Sequence, residues 1–146
     1  MTIDDAFEID APLARTWPVL MDIPRVAGCI PNAEITEIID ETHYRAKVSV
    51  KVGPVNVSYK ALVTVAEIDH ETNSATFHVH GDEIKGRGGV RATVTTSAKG
   101  DNDKTSVTMS TEAHISGVVA TVGGRLIESV AKKTIAEFAK RLTALV

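Results

Sequence analysis

Apolar residues recur along this chain with a period that changes twice. Ile3 to Ile9 reads as a short strand. Ala11-Pro12 then opens a helix, because proline near the first helical position gives up an N–H that has no partner there anyway. Leu13, Trp17, Leu20 and Met21 follow at helical spacing, and Pro18 limits or bends that helix. A second short helical turn is predicted over Ile23 to Ala27, entered through Asp22 as a cap with Pro24 just inside. Cys29-Ile30-Pro31-Asn32 reads as a turn.

Between residues 34 and 115 the period falls to two. Tyr44, Ala46, Val48, Val50 and Val52 alternate with Arg45, Lys47, Ser49 and Lys51, the pattern of a half-buried strand. Gly53-Pro54 turns the chain, and Val55, Val57, Tyr59, Ala61, Val63 and Val65 form the apolar face of the next strand. After a turn at Asp69 to Asn73, the faces Ala75, Phe77, Val79 and Val90, Ala92, Val94 follow. Val107, Met109, Thr111, Ala113 and Ile115 mark a further strand, reached across Lys99 to Asp103. Connections this short make neighbouring strands antiparallel. The last thirty residues return to helical period, with Val119, Val122, Leu126, Val130, Ile135, Phe138 and Leu142 in one stripe widened by Ile127 and Ala131. That helix is about 40 Å long. The predicted architecture is one α+β domain over residues 1–146, with a sheet of six or seven strands curled around the last helix.

Composition changes this picture in two places. A chain of 146 residues, 43% hydrophobic and 24% charged, fills one core without a metal or a disulfide, and the lone Cys29 excludes an intramolecular one. No apolar run reaches bilayer length, and the start MTIDDAFEID lacks the basic-then-apolar form of a secretory signal, so a cytoplasmic location is expected. The net charge of −3 is uneven. The acidic surplus lies in residues 1–116, whereas the last thirty residues carry Arg125, Lys132, Lys133, Lys140 and Arg141 against Glu128 and Glu137. An acidic body speaks against nucleic acid as a partner. A basic final helix suits a solvated face, or a passing contact with an anionic membrane surface.

The inward faces are unusual in size. Ala46, Ala61, Ala75, Ala92, Thr111 and Ala113 stand among valines, and only 4% of the chain is aromatic. Small side chains either let the helix sit close or leave a hollow for an apolar molecule. Tyr44 and Tyr59 are the titratable groups expected on the inward register. The chain has no GxSxG, no HExxH and no phosphate-cradling glycine loop, and nothing calls for a cofactor or a metal. His78 and His80 share a strand face, but Phe77 and Val79 claim the interior, which leaves both imidazoles in solvent. His43 and His70 read as turn residues and His114 as an outward strand residue. Gly86-Arg87-Gly88-Gly89 precedes a strand instead of a helix, so it reads as a bulge or sharp coil. Gly123-Gly124 interrupts the final helix, marking a kink or close approach and an expected pocket mouth. Cys29 reads as a small buried hydrophobe.

Several segments resemble one family. Trp17, Leu20-Met21-Asp22-Ile23-Pro24 and Val26-Ala27-Gly28-Cys29-Ile30-Pro31 are similar to the N-terminal signature of the CoxG family of carbon monoxide dehydrogenase subunits. Lys51-Val52-Gly53-Pro54-Val55 resembles its Lys-Val-Gly-Pro turn, and Gly117 through Gly123-Gly124-Arg125-Leu126-Ile127, ahead of Phe138, resembles its last helix. The chain departs from the family at Asn32, where glycine is usual, and at Lys60-Ala61, where an aromatic-X-glycine ending is usual. The resemblance implies the helix-grip fold of the START/birch-pollen-allergen (SRPBCC) superfamily, a curved seven-stranded antiparallel sheet around a long C-terminal helix with two short helices after the first strand. It also implies a non-enzymatic protein that attaches or couples a molybdenum-hydroxylase-type carbon monoxide dehydrogenase to the cytoplasmic membrane. Its expected ligand is a hydrophobic small molecule, a quinone or a lipid. Some members continue into a membrane anchor; with the chain ending at Val146, transient contact with the membrane is the expectation.

The walls of the ligand site are expected to be Val48, Val50, Val57, Tyr59, Ala61, Phe77, Val79, Val90, Ala92, Met109, Thr111, Leu126, Ile127 and Val130, with a hydroxyl from Tyr59 or Thr111 for orientation. Two other functions fit the same pattern: a superfamily enzyme of cyclase or hydrolase type, and an adaptor with a filled core.

Overall fold

The computed structural model describes residues 1–146. Strand β1 (Thr2–Ile9) is followed by helices α1 (Leu13–Leu20) and α2 (Ile23–Ala27). Six strands come next: β2 (Ala33–Asp40), β3 (His43–Val52), β4 (Val55–Asp69), β5 (Ser74–Glu83), β6 (Gly89–Asp101) and β7 (Lys104–Ile115). A 3₁₀ turn (Val118–Val122) and helix α3 (Gly124–Leu145) close the chain. All seven strands form one antiparallel sheet in the order β1-β7-β6-β5-β4-β3-β2. This is the seven-stranded grip that the family resemblance implies.

Local chemistry sets the element ends. Asp22 caps α2 by accepting from the Arg25 N–H, and Pro24 occupies its first turn. Residues 102–103 form a two-residue turn in which Asn102 takes a positive φ of 56°. β6 therefore runs on to Asp101, through residues the sequence pattern assigns to a connection. Gly53 (φ 60°) leads the two-residue turn between β3 and β4, where a type II′ hairpin needs glycine. In β4 a bulge between Val65 and Glu67 shifts the register by one residue. It turns Ile68 inward, where it packs with the core near Trp17.

Two expectations change. The seventh strand, β2, escapes the period-two pattern because it is an edge strand with two irregularities and little inward burial; its Ile38 is 60% exposed. The last helix does not begin at Val119. Gly123 takes a φ of 94° and separates the 3₁₀ turn from α3, leaving 22 helical residues. The helix is about 33 Å long.

The core divides in two. One cluster gathers Ile9, Trp17, Leu20, Cys29, Val107, Phe138 and Leu142 beneath α1 and the C-terminal half of α3. The other joins Val52, Val57, Tyr59 and Val119 beneath the N-terminal half of α3. Cys29 is buried and donates toward the Arg25 carbonyl, and burial raises its thiol pKa, as a packing residue's would be. Near the second cluster, the loop between β5 and β6 passes against the exit of β7. Methyl groups built on Gly88 and Gly117 would collide with the carbonyls of Ser116 and Arg87 respectively.

This crossing gives a paired prediction. Gly86 and Gly88 both have positive φ, but only Gly88 faces backbone; nothing lies within 4 Å of a methyl at Gly86. Gly86→Ala should cost about 1 kcal/mol, the backbone strain alone. Gly88→Ala should cost about 3 kcal/mol or more, since the crossing must also open. Urea denaturation of the two variants measures the difference, and equal losses would contradict the crossing.

Candidate ligand-binding site

Helix α3 approaches the backbone of the sheet chiefly at β1, on one side, and at β3 toward the other, so the middle strands stand back from it. Their inward residues are small. Cross-strand partners Ala46, Ala61, Gly81 and Val90 form one row across β3, β4, β5 and β6. Tyr44, Val63, Val79, Ala92 and Ala113 form the next. Along the latter row Val63, Val79 and Ala92 are only half-buried although they face the helix. A fully packed α/β interface would bury them, whereas here they stay partly accessible.

The expected wall residues distribute across this interior in three ways. Val57 and Tyr59 are buried in the second cluster, and Val50, Val90, Leu126, Ile127 and Val130 pack half-buried against it. Val48, Val79, Ala92 and Thr111 are half-buried between the clusters, and Ala61 is buried in the floor between them. Phe77 and Met109 instead pack on the cluster around Trp17.

Polar groups in the grip are mostly satisfied by the protein. Tyr44 donates to the Glu41 carbonyl, Thr96 to Thr108, Thr105 to Ala11 and Thr134 to Val130. Every side-chain nitrogen or oxygen sealed from solvent has a partner. The hydroxyls of Tyr59 and Thr111 have no protein partner and remain accessible to solvent. Burial raises the Tyr59 pKa, with the Glu83 charge adding to the effect, so this phenol stays protonated and able to donate.

Two carboxylates on inward registers lie outside the pattern read from the sequence. Asp5 shares the inner side of β1 with Ile3, Phe7 and Ile9, and accepts from the Ala6 N–H. Glu83 follows Gly81 on β5, and its side chain is 1% exposed. It is tied to its own loop: Arg87 Nε donates at 3.0 Å, and the N–H groups of Lys85 and Ser58 donate as well. The Arg87 hydrogen bond, more than any other contact, holds the Glu83 pKa down to about 2. Spacing of i,i+4 to Arg87 and the two-residue step from Gly81 were the signals for it. Glycines 86 to 89 thus belong to an ion-paired loop and sharp crossing.

On the outer face, His78 and His80 are exposed as expected. His114 joins them two strands away, with Arg91 paired between His80 and His114. No group of three metal-ligating side chains assembles anywhere in the chain. His70 is more than a turn residue: its Nδ1 accepts the Trp17 indole N–H at 3.0 Å, with the two rings edge to face.

A groove of about 420 Å³ opens at the surface between the α2–β2 connection, β3 and α3. Ile30, Pro31, Val48, Val50, Leu126 and Val130 supply its apolar lining. Asn32, Lys51, Ser129 and Lys133 supply polar groups. This groove runs along residues 126–134 of α3 and does not include Gly123 or Gly124; Gly124 sits 3.4 Å, at its would-be methyl, from the Met1 side chain.

Acid should loosen this architecture at Glu83. Its folded pKa lies below the ordinary 4.5, so the pair contributes in full above that value, and the contribution is lost as pH falls toward about 2. Glu83→Gln should lower the urea midpoint at pH 7 and flatten its decline between pH 5 and pH 3. A variant with the wild-type slope would rule this carboxylate out as the source.

Solved structures share the fold. A conserved protein from Geobacillus kaustophilus superposes with a TM-score of 0.88 at 25% identity, covering 99% of this chain and 93% of that one. A START superfamily protein from Mycobacterium smegmatis aligns with a TM-score of 0.67 at 14% identity, over 99% and 96% of the two chains. An aromatase/cyclase from Streptomyces sp. R1128 gives 0.67 at 13% identity, over 99% and 92%. The chain has the START-like helix-grip fold. No curated protein sequence matches it. The sequence model of the carbon monoxide dehydrogenase subunit CoxG matches residues 6–146.

Proposed function

Because the chain belongs to the CoxG family of carbon monoxide dehydrogenase subunits, we propose that it is a non-enzymatic accessory protein that holds a hydrophobic molecule between α3 and the sheet. The molecule is quinone-like or lipid-like, and the protein couples a molybdenum-hydroxylase-type dehydrogenase to the membrane that stores such molecules. One observation carries the binding half of this reading. The core splits into two clusters, and the strands between them carry alanines and a glycine in place of bulky side chains. A guest that covers this floor gains about 25 cal/mol for each Å² of apolar surface removed from water. The hydroxyls of Tyr59 and Thr111 then orient a carbonyl or hydroxyl of the guest. No helix of the chain is long and apolar enough to cross a membrane. Exchange with a bilayer in this reading is peripheral, helped by the basic residues of α3.

An enzymatic reading has one point in its favour, the aromatase/cyclase among the fold neighbours. The inward carboxylates weigh on the other side: Glu83 is committed to Arg87 and loop N–H groups, and Asp5 sits at the β1 edge. A positioned acid or base with a free pKa near neutrality is what such chemistry needs.

Native mass spectrometry of detergent-free protein, before and after incubation with bacterial membrane extract, tests the carrier. A near-stoichiometric adduct identified as quinone or lipid is the expected result, and no adduct after incubation argues for a filled adaptor. Ala61→Phe places a ring on the floor of the hollow and should reduce uptake at least tenfold while circular dichroism stays unchanged. Undiminished uptake by a folded Ala61→Phe protein would move the site elsewhere.

A further inference from the structure

A single side-chain hydrogen bond ties α1 to the turn between β4 and β5: the Trp17 indole N–H donates to Nδ1 of His70 at 3.0 Å. Its two ends differ in their access to water. Trp17 is 7% exposed and belongs to the cluster that holds Leu20, Cys29, Phe138 and Leu142, whereas His70 is exposed. A ring nitrogen that accepts a hydrogen bond carries no proton, so in this bond the imidazole is neutral with its hydrogen on Nε2. Protonation turns Nδ1 into a donor that faces a donor, and turning the ring over presents a carbon instead. No orientation of an imidazolium accepts. The same turn is also held by its neighbour β6, through the Ala98 N–H and the Asn73 carbonyl, and that backbone bond is indifferent to pH.

We infer that the pair is a proton-operated latch: neutral His70 fastens the β4–β5 turn to α1, and proton uptake between pH 8 and pH 5 releases it. On its own turn His70 has Asp69 beside it, whose carboxylate accepts from the N–H groups of Glu71 and Thr72, and Glu71 follows. Around the cluster, α1 carries Arg15, α2 Arg25, β6 Lys99, and α3 Glu137, Lys140 and Arg141. None of these forms an ion pair with His70, and Glu137 and Arg141 pair with each other. The charge of the imidazole is therefore felt first through the indole bond. Stability from the bond is held while the ring is neutral and lost as pH falls through the histidine range. Release leaves a buried N–H without a partner. The cost falls on the cluster in which Phe138 and Leu142 anchor the C-terminal half of α3.

Two measurements on the full chain from pH 8 to pH 5 test the latch. The NMR resonance of the indole N–H, one per molecule because Trp17 is the sole tryptophan, reads the bond itself. Urea unfolding followed by circular dichroism reads what the bond contributes. His70→Asn keeps an acceptor oxygen at the place of Nδ1 and takes up no proton. In the wild type the indole resonance should move upfield in one single-proton step, and in His70→Asn it should stay flat. Over the same range the folded-to-unfolded ratio of the wild type should fall about fivefold more than that of His70→Asn. His70→Ala, which has no acceptor, should show the missing stability already at pH 8 and no step. His78→Asn, on the exposed outer face of β5, should keep the wild-type step. A wild-type resonance that does not move, a step that persists in His70→Asn, or equal acid losses in these two proteins would overturn the latch.

Discussion

Helix α3 is fastened at its two ends and left to span the distance between them. At the C-terminal end Leu142 is wholly buried, and Phe138 meets Phe7 edge to face with ring centroids 6.0 Å apart. At the N-terminal end Leu126 lies on the Gly53 turn so closely that a methyl group there would sit 2.7 Å from it. Between these anchors Val130, Ala131, Thr134 and Ile135 are only half-buried. Burial of apolar surface at the ends supplies the attraction, and small side chains on the sheet opposite the middle decline to complete it. Remove either anchor and the helix loses one of its two main attachments to the sheet.

The sheet supplies the matching constraint. Its longest strands, β4 with 15 residues and β6 with 13, lie inside, while the edge strands β1 and β2 have 8 each. Long twisted inner strands and a bulge at Val65/Glu67 bend the surface into a trough. The ion pair of Glu83 with Arg87 and the contact of Gly88 with Gly117 then knit one end of the trough together. Polar groups that serve the scaffold are thereby consumed by it. The hydroxyls of Tyr59 and Thr111 are left without a protein partner.

Much of this was legible in the residues, and the failures have physical causes. Alternation gave β3 through β7 because one face of each is buried and the other wet, as with Tyr44, Ala46 and Val52 against Arg45, Lys47 and Lys51. Strand β2 carries Ile38 and Ile39 on an exposed edge, so no alternation marks it. The stripe from Val119 to Leu142 reads as one helix because a 3₁₀ turn places Val119 and Val122 on the same side; only the positive φ of Gly123 breaks it. Within the site, period two identifies which face a residue occupies but not which end of the trough it closes. Phe77 and Met109, for example, pack on the cluster around Trp17. Lys51 and Lys133 come together only in three dimensions, from a strand edge and a helix flank 82 positions apart, and no local pattern announces them.

The bond between Trp17 and His70 has an optical consequence. Trp17 is the sole tryptophan of the chain and belongs to the buried cluster that includes Leu20, Cys29 and Leu142. Its indole N–H is already committed to an imidazole nitrogen. Intrinsic emission from this protein is therefore a gauge of this cluster, responsive to fraying of α1 or of the β4–β5 turn.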